Sequence, residues 1–195
     1  SSSPMFSFLR DKYAKIPVIN MESATGHPLQ ALADALTLKE HKTKYRPKVV
    51  LTWAPHPKAL PHAVANSFSK MMSFQEVDYF ISNPEGYDLD KRITKNIPVI
   101  HNQSEALQNA DFVYAKNWCS YERYGQILRT DNEWMITKEK MSLTKNAKFM
   151  HCLPIRRNIV ASDGVLDNSN SLVIEQANNR TFAAQAVLKT LLDHA

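Results

Sequence analysis

Glycine is scarce in this chain, four among 195 residues, and no Gly-x-Gly-x-x-Gly run occurs. A dinucleotide cradle, which needs close backbone approach to a pyrophosphate, finds no support. Cysteine is scarcer still, with only Cys119 and Cys152. Two cysteines make no bridged scaffold and read as the reduced thiols of a cytoplasmic protein. No Cys-x-x-Cys or paired-histidine spacing is present, so no metal site is expected. No apolar run approaches the ~18 residues of a membrane span. The opening Ser1-Ser2-Ser3-Pro4 also lacks the basic start and apolar core of a secretory signal. There is no internal repeat and no low-complexity segment.

What is there is ordinary globular composition, 44% hydrophobic and 22% charged. A chain of this length buries roughly 70% of its unfolded surface, enough for one domain and part of another. The net charge is +5, but the lysines are scattered singly and no nucleic-acid motif accompanies them. The excess suits a small anionic substrate better than nucleic acid.

Along the chain, Phe6, Phe8, Leu9 and Tyr13 suggest a short helix, and Ile16-Pro17-Val18-Ile19-Asn20 a short strand. Pro28 suits the first turn of a helix in which Leu29, Leu32, Ala33 and Leu36 fall at i, i+3, i+4 and i+7, giving one buried face. A regular alternation follows. Strands are expected over residues 49–53, 77–81, 97–100, 111–115 and 147–150. Between them helices are expected over residues 63–72, 88–95, 104–109 with Ser104 as N-cap, and near 137–144. A last helix is expected after Asn178-Asn179-Arg180, with Ala184, Val187, Leu188, Leu191 and Leu192 as its apolar stripe. The fold class is α/β, a doubly wound parallel sheet with helices on both faces.

In such a sheet, ligands bind beyond the carboxyl ends of the strands. The residues placed there are His56 between two prolines, Lys116 after an apolar strand, and the turn His151-Cys152-Leu153-Pro154-Ile155-Arg156-Arg157-Asn158. A proline past the strand stops its continuation, and two arginines offer planar forks for carboxylate or phosphate. Taken alone, a cysteine after a strand is usually packing and an Arg-Arg pair usually a solvated surface. His27 stands at a helix N-terminus, where the dipole favours an anionic ligand and a neutral ring; a histidine that merely caps the helix is the plainer reading.

The His151-Cys152-Leu153-Pro154 turn resembles the His-Cys-Leu-Pro motif of the aspartate/ornithine carbamoyltransferase family; the aspartate enzymes carry Pro in place of Cys152. His27-Pro28-Leu29-Gln30 resembles that family's second signature, and Asn179-Arg180 the pair that precedes its returning C-terminal helix. Trp53-Ala54-Pro55-His56-Pro57, Tyr114-Ala115-Lys116-Asn117-Trp118 and Tyr124-Gly125-Gln126-Ile127-Leu128 are closest to the branch that uses Nα-acylated ornithine. The Asp and Ser-Met-Gly segment of ordinary ornithine enzymes is missing.

The resemblance implies carbamoyl transfer from carbamoyl phosphate to the δ-amine of an acylornithine, N-succinylornithine foremost, with N-acetylornithine and ornithine as alternatives. It implies no cofactor and a homotrimer. His27, Pro28, Leu29, Gln30, Cys152, Leu153 and Arg180 would contact carbamoyl phosphate, with His27, Arg180 and Cys152 closest to the chemistry. Glu22, His56, Lys116 and Arg156 would contact the acylornithine, whose neutral amide and added carboxylate call for cations. It further implies a remnant of a carbamoyl-phosphate domain over 1–35, an acylornithine-binding domain over 36–175, and a C-terminal helix over 176–195 packing back on the first. The family's Ser-Thr-Arg-Thr-like phosphate loop has no counterpart here. The chain is therefore expected to be part of a longer enzyme, or else a non-catalytic binding module. All of this requires positions 27, 152 and 180 to converge.

Overall fold

The computed structural model describes Phe8, Lys12 and residues 17–194. Most of the helix expected around Phe6, Leu9 and Tyr13, and Ile16 of the first strand, lie outside the described residues, although Phe8 and Lys12 are helical. Residues 17–20 form no strand. Proline has no ladder donor to offer there.

The described elements run α1 (Pro28–His41), β1 (Lys48–Trp53), α2 (Ala63–Met72), β2 (Asp78–Ser82), α3 (Lys91–Thr94), β3 (Val99–Ile100), α4 (Gln103–Leu107), β4 (Phe112–Lys116), α5 (Lys138–Met141), β5 (Lys148–Met150), α6 (Asp163–Leu166) and α7 (Val173–Asp193). The strands form one sheet in the order β3-β2-β1-β4-β5, and every pairing is parallel. β1 is central because its residues are apolar on both faces, as a strand covered on both sides must be. Val49, Leu51 and Trp53 join a core with Phe68 of α2 and Leu38 of α1, while Val50 joins a second core with Leu107 of α4 and Val165 of α6. The doubly wound sheet expected from the alternation is therefore present.

The helices expected over 88–95 and near 137–144 are shorter, as α3 and α5, the strand expected over 97–100 contracts to β3, and α6 has no counterpart among the expected elements. Two further differences bear on the site and its supports. Asn102, not Ser104, caps α4, its side chain accepting from Glu105 N–H at 3.2 Å. Asn102 is the residue still in extended conformation as the chain leaves β3. The last helix starts at Val173, seven residues before Arg180, so Arg180 lies within it rather than at its entrance. Asn178-Asn179 reads as a break because asparagine favours caps. Here Asn179 is tied by its side chain to Thr37 at 3.0 Å and Glu40 at 2.7 Å on α1, and these tertiary bonds override local preference.

The face that α7 buries is accordingly Val173, Gln176, Asn179 and Ala183. The expected stripe is largely uncovered among the described residues, with Leu188 52% and Leu192 76% exposed. No helix of the described residues is long and apolar enough to cross a membrane. Leu51 has no exposure at all in the central strand. Leu51→Ala should cost about 3 kcal/mol in urea unfolding, from lost burial and a cavity; a loss under ~1 kcal/mol would show that the two cores close around the gap.

Candidate functional site

The order of the sheet creates the site. From β1 the chain winds outward one way to β2 and β3, then returns to place β4 on β1's other side. The crevice beyond the carboxyl ends of β1 and β4 is thus a topological switch point. Lys116, the last residue of β4, pairs in register with Trp53, the last of β1. Beyond them Ala54 N–H donates to the Lys116 carbonyl at 3.1 Å, and Asn117 Nδ2 donates to the Ala54 carbonyl at 2.8 Å. These bonds fix where His56 and Lys116 emerge.

A cavity of about 630 Å³ opens there. Glu22, His27, Gln30, His56, Lys116 and Cys152 line it together with Leu153, Arg156 and Arg180. Positions 27, 152 and 180 therefore meet at one place, carried by the start of α1, the turn after β5 and the second turn of α7. Pro28 and Leu29, expected beside them, do not line the cavity. Pro28 begins α1 and is exposed, whereas Leu29 turns into the core. Lys58, on the stiff turn after His56, joins the lining without a place among the expected residues; among the described residues it is one of four cations there facing a single carboxylate, Glu22. Its signal was present in Pro55-His56-Pro57-Lys58, a turn that cannot continue the strand.

The Arg-Arg pair divides. Arg156 lines the cavity, but Arg157 is clamped by Asp163 and Asp167, each at 2.5 Å. Only Arg156 is left to read an anion. The side chains of Lys116 and Arg156 have no hydrogen bond or ion pair among the described residues.

His27 is the N-cap residue of α1, yet its ring makes no capping bond. Its backbone N–H is held by Ser67 Oγ at 2.7 Å, and Nδ1 is buried without a partner. Burial pushes its pKa below the ordinary value; Glu22 opposes this, while Arg180 and Lys116 add to it. The ring is therefore neutral near pH 7 and free to donate one hydrogen bond. Burial likewise pushes the Cys152 thiol up, against the pull of Lys116. A buried neutral thiol suits positioning, not nucleophilic attack.

In the turn itself, Leu153 takes a positive φ of 52° and its N–H donates to His151 Nδ1 at 2.9 Å. The Leu153 carbonyl is the backbone group left for a ligand. His56 is held by Lys58, whose backbone N and O both lie 3.1 Å from Nδ1, and burial lowers its pKa. Among the described residues no group of three or more His, Cys, Asp or Glu could hold a metal ion.

Behind the lining lie polar groups that hydrophobic periodicity passes over. Asp34 is fully buried beneath Gln30, and Gln176 of α7 reaches it from the other side. The only sequence signal is the spacing of Gln30, Asp34 and Thr37 inside an otherwise apolar helix.

Residues 61–191 match the family model described as aspartate/ornithine carbamoyltransferase, Asp/Orn binding domain. Among curated relatives, the N-succinylornithine carbamoyltransferase of Bacteroides fragilis is 49% identical over 180 residues, covering 91% of this chain and 57% of the relative. The N-acetylornithine carbamoyltransferase of Xanthomonas axonopodis pv. citri is 37% identical over 205 residues, covering 94% of this chain and 60% of the relative. A solved N-acetyl-L-ornithine transcarbamylase, a mutant complexed with carbamyl phosphate and N-succinyl-L-norvaline, superposes with TM-score 0.83 at 34% identity, covering 96% of this chain and 63% of that one. The chain thus spans about three fifths of the length of the relatives it matches.

Two buried groups near the site oppose each other in pH dependence. Burial holds His151 at about 3, so from there up to its ordinary 6.5 only the unfolded chain binds the proton, and stability rises with pH. Burial raises Asp34 from 3.8 to about 7, so across that range the native chain keeps a proton the unfolded chain has lost, and stability falls as pH rises. Where the windows overlap, the two offset. In His151→Gln, of these two slopes only that of Asp34 remains. Relative to wild type, the variant should gain about 2 kcal/mol in urea unfolding on going from pH about 6 to about 4.5. An unchanged gap between the two proteins would remove His151 as a titrating group.

Proposed function

Because the chain belongs to the aspartate/ornithine carbamoyltransferase family, we propose that the full-length protein moves the carbamoyl group of carbamoyl phosphate to the δ-amine of an Nα-acylornithine. N-succinyl-L-ornithine is the first choice, giving N-succinyl-L-citrulline and phosphate in arginine biosynthesis. The observation that carries this reading is that His27, Cys152 and Arg180, from three distant segments, line one cavity. The cations Lys58, Lys116 and Arg156 in that lining favour an acyl chain ending in a carboxylate over a free α-amine. N-acetylornithine and ornithine are the alternatives.

In the proposed reaction the δ-amine, whose free pKa resembles the ~10.4 of lysine, first loses a proton. Its lone pair then attacks the carbamoyl carbon, and charge builds on the carbonyl oxygen. The neutral His27 ring and the Arg180 guanidinium donate to that oxygen. The C–O bond to phosphate breaks, phosphate leaves with the electron pair, and the nitrogen sheds its remaining excess proton. Gln30 and the Leu153 carbonyl accept from the carbamoyl NH₂. Cys152 helps place the incoming nitrogen. Glu22, His56, Lys116 and Arg156 hold the acylornithine.

We read residues 1–35 as belonging to a carbamoyl-phosphate domain, 36–175 as the acylornithine domain and 176–195 as the helix that returns to the first. The mutual packing of α1 and α7 supports this, although both boundaries fall inside those helices. Free cysteines favour the cytoplasm, and the family resemblance favours a homotrimer. A second reading, an acylornithine-binding module without phosphate chemistry, is favoured for these 195 residues by the lack of a Ser-Thr-Arg-Thr-like loop.

A radiometric citrulline assay of the full-length protein with the three ornithines should give the highest kcat/KM for N-succinylornithine. His27→Ala should lower kcat by about a hundredfold or more. A His27→Ala rate near that of wild type would take the residue out of the reaction. Titration calorimetry of this chain with a bisubstrate analogue separates the module, since acylornithine binding without a gain for the analogue supports it.

A further inference from the structure

Asp34 sits beneath the cavity with no exposure, and it does not line it. A single carboxylate oxygen, Oδ1, accepts from Gln30 Nε2 at 2.8 Å and from Gln176 Nε2 at 2.6 Å. Oδ2 takes no amide, and the Tyr114 hydroxyl lies beside the carboxyl group. Because Oδ1 accepts from both, each amide turns its NH₂ toward Asp34 and its carbonyl oxygen away. The two carbonyl oxygens then have different uses. Gln176 Oε1 accepts from the His151 backbone N–H at 2.9 Å, at the head of the Cys152 turn. Gln30 Oε1 is buried and unpartnered in a residue that lines the cavity. It is the end of the amide left for a ligand, and it can only accept.

We propose that Asp34 is a positioning residue that locks Gln30 with its acceptor toward the cavity and joins that orientation, through Gln176, to the turn carrying Cys152 and Leu153. The arrangement selects a ligand that brings an N–H donor, and so separates a carbamoyl group from an acetyl group of nearly the same size. The inference rests on the carbamoyl-transfer reading and deepens it. Burial raises the Asp34 pKa to about 7, which the amides, Tyr114 and Arg180 pull back, and Oδ1 accepts from both amides whether or not Oδ2 carries a proton. Tyr114 of β4 and Cys152 are the other titratable groups of this buried cluster.

The test uses the full-length enzyme with carbamoyl phosphate as substrate and acetyl phosphate as competing inhibitor. Wild type should bind acetyl phosphate about tenfold or more weakly, the worth of one directed hydrogen bond. Asp34→Ala should raise KM for carbamoyl phosphate about tenfold while moving the acetyl phosphate inhibition constant less than about twofold. Asp34→Asn, which retains an acceptor oxygen for both amides, should recover most of the loss. If the alanine variant does not fold, the wild-type preference decides alone: equal binding of the two phosphates overturns the proposal. So does an alanine variant that loses both ligands in proportion, or neither. Absence of wild-type turnover would overturn the transferase reading and this one with it, whereas normal turnover with an indifferent Asp34→Ala refutes only the positioning role.

Discussion

Helices α1 and α7 meet through amides and a carboxylate rather than through a seam of leucines, and the site depends on that contact. Gln176 on Asp34 and Asn179 on Thr37 each join residues 142 positions apart. A buried carboxylate without donors is expensive, and a buried amide without an acceptor only somewhat less so. Every partner in this clasp therefore holds the others to one register. An apolar interface of equal area tolerates sliding and repacking; a hydrogen-bonded one has a single arrangement that satisfies it. Because His27 and Gln30 ride on α1 and Arg180 on α7, that arrangement delivers three lining groups to the mouth of the sheet at a set distance from Cys152.

The sheet supplies the other half by topology. Parallel strands point their carboxyl ends the same way, and the switch in strand order between β1 and β4 leaves a crevice there. His56, Lys116 and the Cys152 turn emerge around it, and four cations face one carboxylate. Within this positive rim, burial keeps the His27 ring and the Cys152 thiol uncharged. The rim draws in anions, while the floor offers neutral donors and acceptors of fixed direction. That division of labour suits a reaction in which charge gathers on one oxygen of a small anionic donor.

How much of this was legible in the residues varies with the range of the interaction. The strands expected over 49–53, 111–115 and 147–150 were visible because continuous apolar runs bounded by turns have few other uses in a chain of this composition. The lining residues were visible where a short motif placed them just past such a strand. Helix ends are less legible. Ser104 and Asn102 are both good caps, and only the conformation of the chain leaving β3 selects Asn102. The start of α7 is hidden because Asn178-Asn179 disfavours a helix locally, while the bonds to Thr37 and Glu40 that reverse the preference come from the far end of the sequence.

What the sequence determined by itself was the set of candidates: an alternating α/β chain, residues at strand ends and a helix start, and a cationic excess. Those follow from spacing, side-chain volume and turn chemistry, which act over a few neighbours. What only the tertiary structure decided was which candidates are free to act. Arg156 and Arg157 are adjacent and chemically identical, yet one lines the cavity and the other is spent on Asp163 and Asp167. Asp34 reads as one polar residue in an apolar helix until Gln176 arrives beside it. Availability is set by burial and by partners remote in the chain, and those exist only once the segments have packed.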